Sequence, residues 1–151
     1  MVDIKRTNSN DVDFISLVSE LDTYLKLVDG AEHDFYNQYN TIDVLKQTVV
    51  VFSNLKPVAC GAFKRYDENC VEIKRMYTKP NFRSKGFAEK VLNELELWAK
   101  EINFKACVLE TGKRQKEAVQ FYKKNNYTII PNFGQYKNID NSICFIKHFE
   151  E

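Results

Sequence analysis

The chain has 151 residues, 44% hydrophobic and 13% aromatic, long enough to bury most of its apolar surface in one core, so a single domain over residues 1–151 is expected. With 22 Lys and Arg against 21 Asp and Glu the net charge is +1, and no global field draws the chain toward nucleic acid. Met1 to Arg6 lacks the apolar centre of a signal peptide and no apolar stretch approaches the ~20 residues of a membrane span, so a cytoplasmic protein without membrane attachment is expected.

In chain order, Val2 to Arg6 reads as a first strand, and Thr7 to Asp11 offers several capping side chains before a helix. Phe14, Ile15, Leu17, Val18, Leu21 and Leu25 give that helix its expected buried face. Asp29 to Asn40, with Gly30 and the aromatics Phe35, Tyr36 and Tyr39, reads as a loop with a short helical turn. Thr48 to Ser53, Pro57 to Tyr66 and Cys70 to Thr78 then form three strands in series, an antiparallel meander. A helix follows, with Phe87, Ala88, Val91, Leu92, Leu95, Trp98, Ala99 and Ile102 at spacings of three and four. Lys105 to Glu110 is a strand, a second helix follows within Glu117 to Tyr127, and two strands close the chain. Strands followed by an alternating helix-strand half imply a mixed α/β (α+β) sheet with helices on both faces.

The fourth strand carries an irregularity. Strict alternation would put Val71, Ile73, Arg75 and Tyr77 on one face and strand Arg75 among apolar neighbours, so Lys74-Arg75 predicts a bulge that shifts the register. The alternative is an ordinary edge strand with two solvated cations.

The run Asn81-Phe82-Arg83-Ser84-Lys85-Gly86-Phe87-Ala88 joins this strand to the long helix. Arg83 and Lys85 supply positive charge, Gly86 lets backbone approach backbone, and the first N–H groups of the helix point unpaired at whatever docks there. The expected guest is a phosphate or pyrophosphate. Cys60, Cys70, Cys107 and Cys144 show no C-x-x-C spacing and read as small buried hydrophobes. Glu32-His33-Asp34 lacks a partner histidine nearby, and no metal is expected.

The R-x-x-G-x-A of Arg83 to Ala88 resembles the acetyl-CoA signature Q/R-x-x-G-x-G/A of GNAT N-acetyltransferases. A second segment, Glu117 to Tyr127 after the strand at Lys105, is similar to that family's helix-and-strand segment, often ending L-Y-x-K-x-G-F. The resemblance implies a GNAT fold: a central, mixed but mostly antiparallel twisted sheet of about seven strands, with a splay between strands 4 and 5 that admits pantetheine.

It further implies acetyl-CoA as co-substrate, held by the backbone of Met76, Tyr77 and Thr78 and by Arg83, Ser84, Lys85, Gly86, Phe87 and Ala88. Many relatives place a cofactor-touching asparagine where this chain has Thr111 to Gln115. The implied reaction is acetyl transfer to a primary amine, which must be neutral to attack. For an alkylamine of pKa ~10.4 deprotonation at pH 7 costs roughly 4 to 5 kcal/mol. Glu72, fourteen positions before Gly86, is the candidate base, with a cross-strand ion pair as its competing reading. Tyr122 matches the family's general-acid tyrosine, and without the family it reads as a core or rim residue. The N–H of Met76 is the expected donor to the acyl carbonyl.

Acceptor residues are expected at Glu32, Tyr36, Tyr39 and Glu110, with Tyr136 as a further candidate, since carboxylates and ring faces both attract ammonium groups. A small-molecule amine is the expected acceptor. A protein or peptide amine is the alternative, and a non-catalytic acyl-CoA sensor the alternative of another class. A homodimer is compatible with the family, and a nucleic-acid role resting on Lys113, Arg114, Lys116, Lys123 and Lys124 ranks last.

Overall fold

The computed structural model describes residues 1–29 and 45–150. Its elements run β1 (Val2–Thr7), α1 (Val12–Asp29), β2 (Gln47–Ser53), β3 (Lys56–Arg65), β4 (Cys70–Thr78), α2 (Phe87–Glu101), β5 (Ala106–Gly112), α3 (Lys116–Lys124), β6 (Thr128–Ile130) and β7 (Ser142–His148). The seven strands form one sheet in the order β1-β2-β3-β4-β5-β7-β6. All neighbours are antiparallel except β4 and β5. The expected order of elements and mixed sheet are found.

Asp11 starts α1 by accepting hydrogen bonds from the backbone N–H of Asp13 and Phe14, each at 3.0 Å, which satisfies two donors of the first turn. Phe14, Leu17 and Leu21 bury against Val50, Cys60, Ala62 and Tyr77 on one sheet face. Ile15 departs from the expectation. It is 52% exposed, because it sits one residue, or 100° of helix, off the stripe that Phe14, Leu17 and Leu21 define.

The other face carries α2 and α3. Val91, Leu92, Leu95 and Ala99 of α2 join Val119 and Tyr122 of α3 over Val49, Phe63, Val71, Ile73, Leu109 and Phe145. Ile102, expected on this apolar face, caps the helix end and is exposed. The Arg6 side chain ties the sheet edge to α2 through Glu94 (2.6 Å), Glu101 (2.8 Å) and the ring of Trp98 (4.9 Å).

The bulge is present in β4. Cys60 pairs with Tyr77 and Ala62 with Lys74, so Arg75 and Met76 together oppose Gly61. Arg75 takes φ +60°, a left-handed conformation that costs an L-residue about 1–2 kcal/mol. The side chain thereby reaches α1, where Nη1 donates to Asp22 at 2.9 Å. Met76 returns to the opposite face and fills the space above Gly61. A Cβ on Gly61 would lie 2.5 Å from Met76 Sδ, 2.7 Å from Val91 Cγ1 and 2.9 Å from Leu95 Cδ1. β4 and β5 pair only at Cys70, Val71 and Glu72 against Ala106, Cys107 and Val108, and beyond these residues the two strands part.

Gly61→Ala is therefore expected to destabilise the fold by about 1–3 kcal/mol through overpacking, read as a lower Tm in thermal denaturation. An unchanged Tm would mean that the α2 contact can yield without cost.

Candidate functional site

The parting of β4 from β5 leaves two connected hollows. A groove of about 740 Å³ lies between the β4-to-α2 turn and α3. A smaller chamber of about 130 Å³ lies deeper, toward the paired ends of the strands. Leu21, Met76, Gln115, Ala118 and Tyr122 line both, so Tyr122 stands at their junction.

Met76, Tyr77, Thr78, Arg83, Ser84, Gly86, Phe87 and Ala88, all named from the family resemblance, line the groove. Lys85 does not: it is exposed, with its ammonium 5.8 Å from the Phe82 ring centre. Gly86 is the N-cap of α2 at φ +86°, and no side chain caps the helix. Ser84 is also left-handed, at φ +61°. An uncapped helix start of this kind presents N–H groups and the positive end of the helix dipole to an anion. Arg83 is held rather than loose. Its Nε donates to the Thr78 carbonyl at 2.9 Å, and its guanidinium lies 5.5 Å and 5.8 Å from the rings of Tyr24 and Tyr77. Arg114 and Lys116 add positive charge from the opposite wall.

The chamber is lined by Glu72, Lys74 and Arg75 of β4, Glu110 of β5, Tyr136, and Leu21 and Leu25 of α1. Its floor is the sheet face toward α1. Glu72 lies opposite Val108, and Glu110 is two residues further along β5 on the same face. Glu72 is 4% exposed, and its Oε2 accepts a long, 3.4 Å hydrogen bond from the Tyr136 hydroxyl. Lys64 is its register partner on β3, the position from which a cross-strand pair would form. Glu110 Oε2 accepts from Ser142 Oγ at 2.6 Å.

Tyr122 is buried among Phe121, Tyr127 and Phe145. Burial, and secondarily the charge of Glu110, raise its pKa, which keeps the phenol protonated and able to donate. Burial likewise raises Tyr136, helped by Glu72 and Glu110. Cys144 beneath the chamber is pushed up to about 11 by burial, and all four cysteines are free thiols.

Of the expected acceptor residues, Glu110 lies in the chamber, as does Tyr136. Glu32, Tyr36 and Tyr39 lie outside the described residues. Sequence reasoning missed Lys74 and Arg75 as chamber residues: Lys74 shares its face with Glu72 by ordinary alternation, and the inferred bulge is what turns Arg75 to the same side. Gln115 lines both hollows in the stretch that lacks the expected asparagine.

The Acetyltransferase (GNAT) family pattern matches residues 15–127. Over 126 residues the chain is 29% identical to an IAA acetyltransferase of Azospirillum brasilense, across 81% of each protein. Its fold is similar to that of a Klebsiella pneumoniae protein described as an acyl-CoA N-acyltransferase, with a TM-score of 0.81 and 26% identity over 98% of this chain and 97% of that one. A GNAT family acetyltransferase from Elizabethkingia anophelis with acetyl-CoA bound shares the fold with a TM-score of 0.71, at 19% identity over 98% of both chains.

Tyr122, Tyr127 and Tyr136 all have pKa values raised chiefly by burial. In the unfolded chain tyrosines ionise near pH ~10, so these residues favour folding fully below that pH and progressively less above it. Denaturant unfolding between pH 8 and 11.5 is expected to show a loss that begins near pH ~8.5, as the unfolded thiols of Cys60, Cys107 and Cys144 ionise, and that steepens above pH ~10 by up to about 1.4 kcal/mol per pH unit for each tyrosine. A flat profile to pH 11.5 would show that the phenols are not held neutral.

Proposed function

Because the chain belongs to the GNAT acetyltransferase family and is an acyltransferase, we propose that it moves an acetyl group from acetyl-CoA to a primary amine of a small metabolite. The observation that carries this reading is the junction at Tyr122, where a long groove with an uncapped helix start meets a small buried chamber holding carboxylates.

The groove residues suit acetyl-CoA. The α2 N-terminus with Arg83, Ser84, Gly86, Phe87 and Ala88 would bind the pyrophosphate, and the backbone of Met76, Tyr77 and Thr78, on a strand edge that β5 no longer covers, would pair with the pantetheine amides. The N–H of Met76 would polarise the acyl carbonyl. Glu72 would take the amine proton, directly or through a water, and Tyr122, held protonated, would supply a proton to the departing sulfur. The chamber, of about 130 Å³ and lined by Glu72, Glu110 and Tyr136, would receive the acceptor amine.

Calorimetric titration is expected to show binding of acetyl-CoA and desulfo-CoA but not of ATP at the same concentration. No binding of either pantetheine ligand would remove the functional reading. Tyr122→Phe is expected to keep acetyl-CoA affinity within a few-fold while kcat falls about 10²-fold, and Glu72→Gln to lower kcat about 10²- to 10³-fold with loss of the acid limb of the pH profile. Unchanged turnover in both variants would overturn the assigned roles. Tight acetyl-CoA binding with no turnover of any amine would make the protein a sensor.

A further inference from the structure

We infer that Tyr136 is a positioning residue for the transfer: its hydroxyl holds the Glu72 carboxylate ionised and in place to receive the amine proton. This rests on the acyl-transfer reading above, in which Glu72 is the base, and names a further residue of the same site.

The phenol is brought to Glu72 by the connection between β6 and β7, which is tied to itself. The Tyr136 N–H donates to the Phe133 carbonyl at 2.9 Å, the Ile139 N–H to the Tyr136 carbonyl at 3.1 Å, and the Ser142 N–H to the Ile139 carbonyl at 3.0 Å. Asn132 Nδ2 donates to the Ile139 carbonyl at 3.2 Å. The connection also has a small core of its own, in which Ile130, Phe133 and Ile139 pack against the buried Tyr136 and Cys144. The Phe133 ring stands edge-on to Tyr136, at 5.7 Å and 88°. With the ring held in this way, the hydroxyl end reaches the chamber and donates to Glu72 Oε2 at 3.4 Å.

A phenylalanine would fill the same small core. Both partners are withdrawn from water, Tyr136 at 3% and Glu72 at 4% exposure, so the extra hydroxyl costs free energy unless it is hydrogen-bonded. The Gln135 side chain hydrogen-bonds to the phenol from within the turn. As a donor to the phenol oxygen, it leaves the phenol's own hydrogen for Glu72. Tyr122 lines both hollows and Tyr136 only the chamber, which leaves the thioester sulfur to Tyr122.

A donor to a carboxylate oxygen favours the ionised form and restricts the rotation of the group. In the transfer the proton passes from the amine nitrogen to Glu72, and the phenol keeps its own. Other described groups face Glu72: Lys64 of β3, Tyr66 just beyond it, and Lys74 and Arg75 of β4. Glu110 of β5 and Cys144 of β7 lie on the same side, and Asp22 of α1 pairs with Arg75. All of them remain when Tyr136 is substituted, so a shift on its substitution reports the phenol.

The test reads Glu72 directly and then the reaction. In the 151-residue protein labelled with carbon-13 at its glutamate carboxyls, the Glu72 signal is assigned by its loss in Glu72→Gln and titrated in the parent, in Tyr136→Phe and in Tyr136→Leu. Losing the donor raises the Glu72 pKa, so the midpoint is expected to move up by about one pH unit in both variants, although Leu disturbs the packing more than Phe. In the parent, the Tyr136 Cζ signal is expected to follow the Glu72 titration with the same midpoint. Turnover is measured as acetyl-CoA-dependent thiol release with the best amine of a panel of alkylamines, amino acids and amino sugars. A base works only when ionised, so the acid limb of kcat/KM is expected to move up with the midpoint. Below the limb Tyr136→Phe is then slower by about ten-fold, and above it the two proteins converge to within a few-fold, with acetyl-CoA affinity unchanged. In a Glu72→Gln background Tyr136→Phe is expected to change kcat/KM by less than about two-fold, because no carboxylate remains to be held. A Glu72 midpoint unmoved in both variants, a Tyr136 signal that does not follow it, or substitution effects that simply multiply overturns the inference and leaves the wider reading standing. A rate unmoved by Glu72→Gln removes Glu72 as the base and the inference with it. A parent that binds no acetyl-CoA, or binds it and acetylates no amine, removes the wider reading and the inference together.

Discussion

One extra residue in β4 sets the conditions for everything at the site. Opposite Gly61 the strand fits two residues where its partner has one, and Arg75 absorbs the difference at φ +60°. A strand bent in this way cannot stay in register with a straight parallel neighbour, and pairing with β5 ends at Glu72. The gap that opens is bounded by sheet on one side and by α3 on the other. The local cost is offset by the Arg75–Asp22 ion pair and by Met76, which the bulge returns to the α2 core above a glycine that leaves room for it.

The same residue change reverses side-chain parity along the strand. Before the bulge Val71 and Ile73 face α2 while Glu72 and Lys74 face α1; after it Met76 faces α2 and Tyr77 faces α1. Lys74 and Arg75 therefore share one side. The sheet carries an apolar core under α2 and, through the same strand, a charged chamber beneath α1. Neighbouring features use charge differently at the groove's far end. There Arg83 is braced by a carbonyl and two rings, and the start of α2 is left without a side-chain cap.

The chain closes the chamber from a distant part of the sequence. β7 inserts between β5 and β6, so Ser142 comes beside Glu110, and the short turn at Gly134–Tyr136 brings a phenol to Glu72. Phe133 packs edge-on against both Tyr66 and Tyr136, linking that turn to the end of β3. Tyr136, buried and neutral, and Ser142 thus supply donors to the two carboxylates without adding charge.

Local periodicity determined most of the framework. Apolar spacing marked α1, α2 and α3, alternation and turn residues marked the strands, and the strand, Gly86 and helix in series marked the turn before α2, because each signal is carried by residues within a few positions of one another. The bulge was legible for the same reason, as two adjacent cations in an otherwise alternating strand. Ile15 and Ile102 were misplaced where spacing favoured the buried face but a single step of rotation or the end of the helix decided exposure. Only the tertiary structure decided where β4 and β5 part, which face Arg75 takes, and how Glu72 meets Tyr136 across 64 positions and Glu110 meets Ser142 across 32. Those outcomes depend on strand order and register, which are set by the packing of whole layers and leave no mark in any short stretch of sequence.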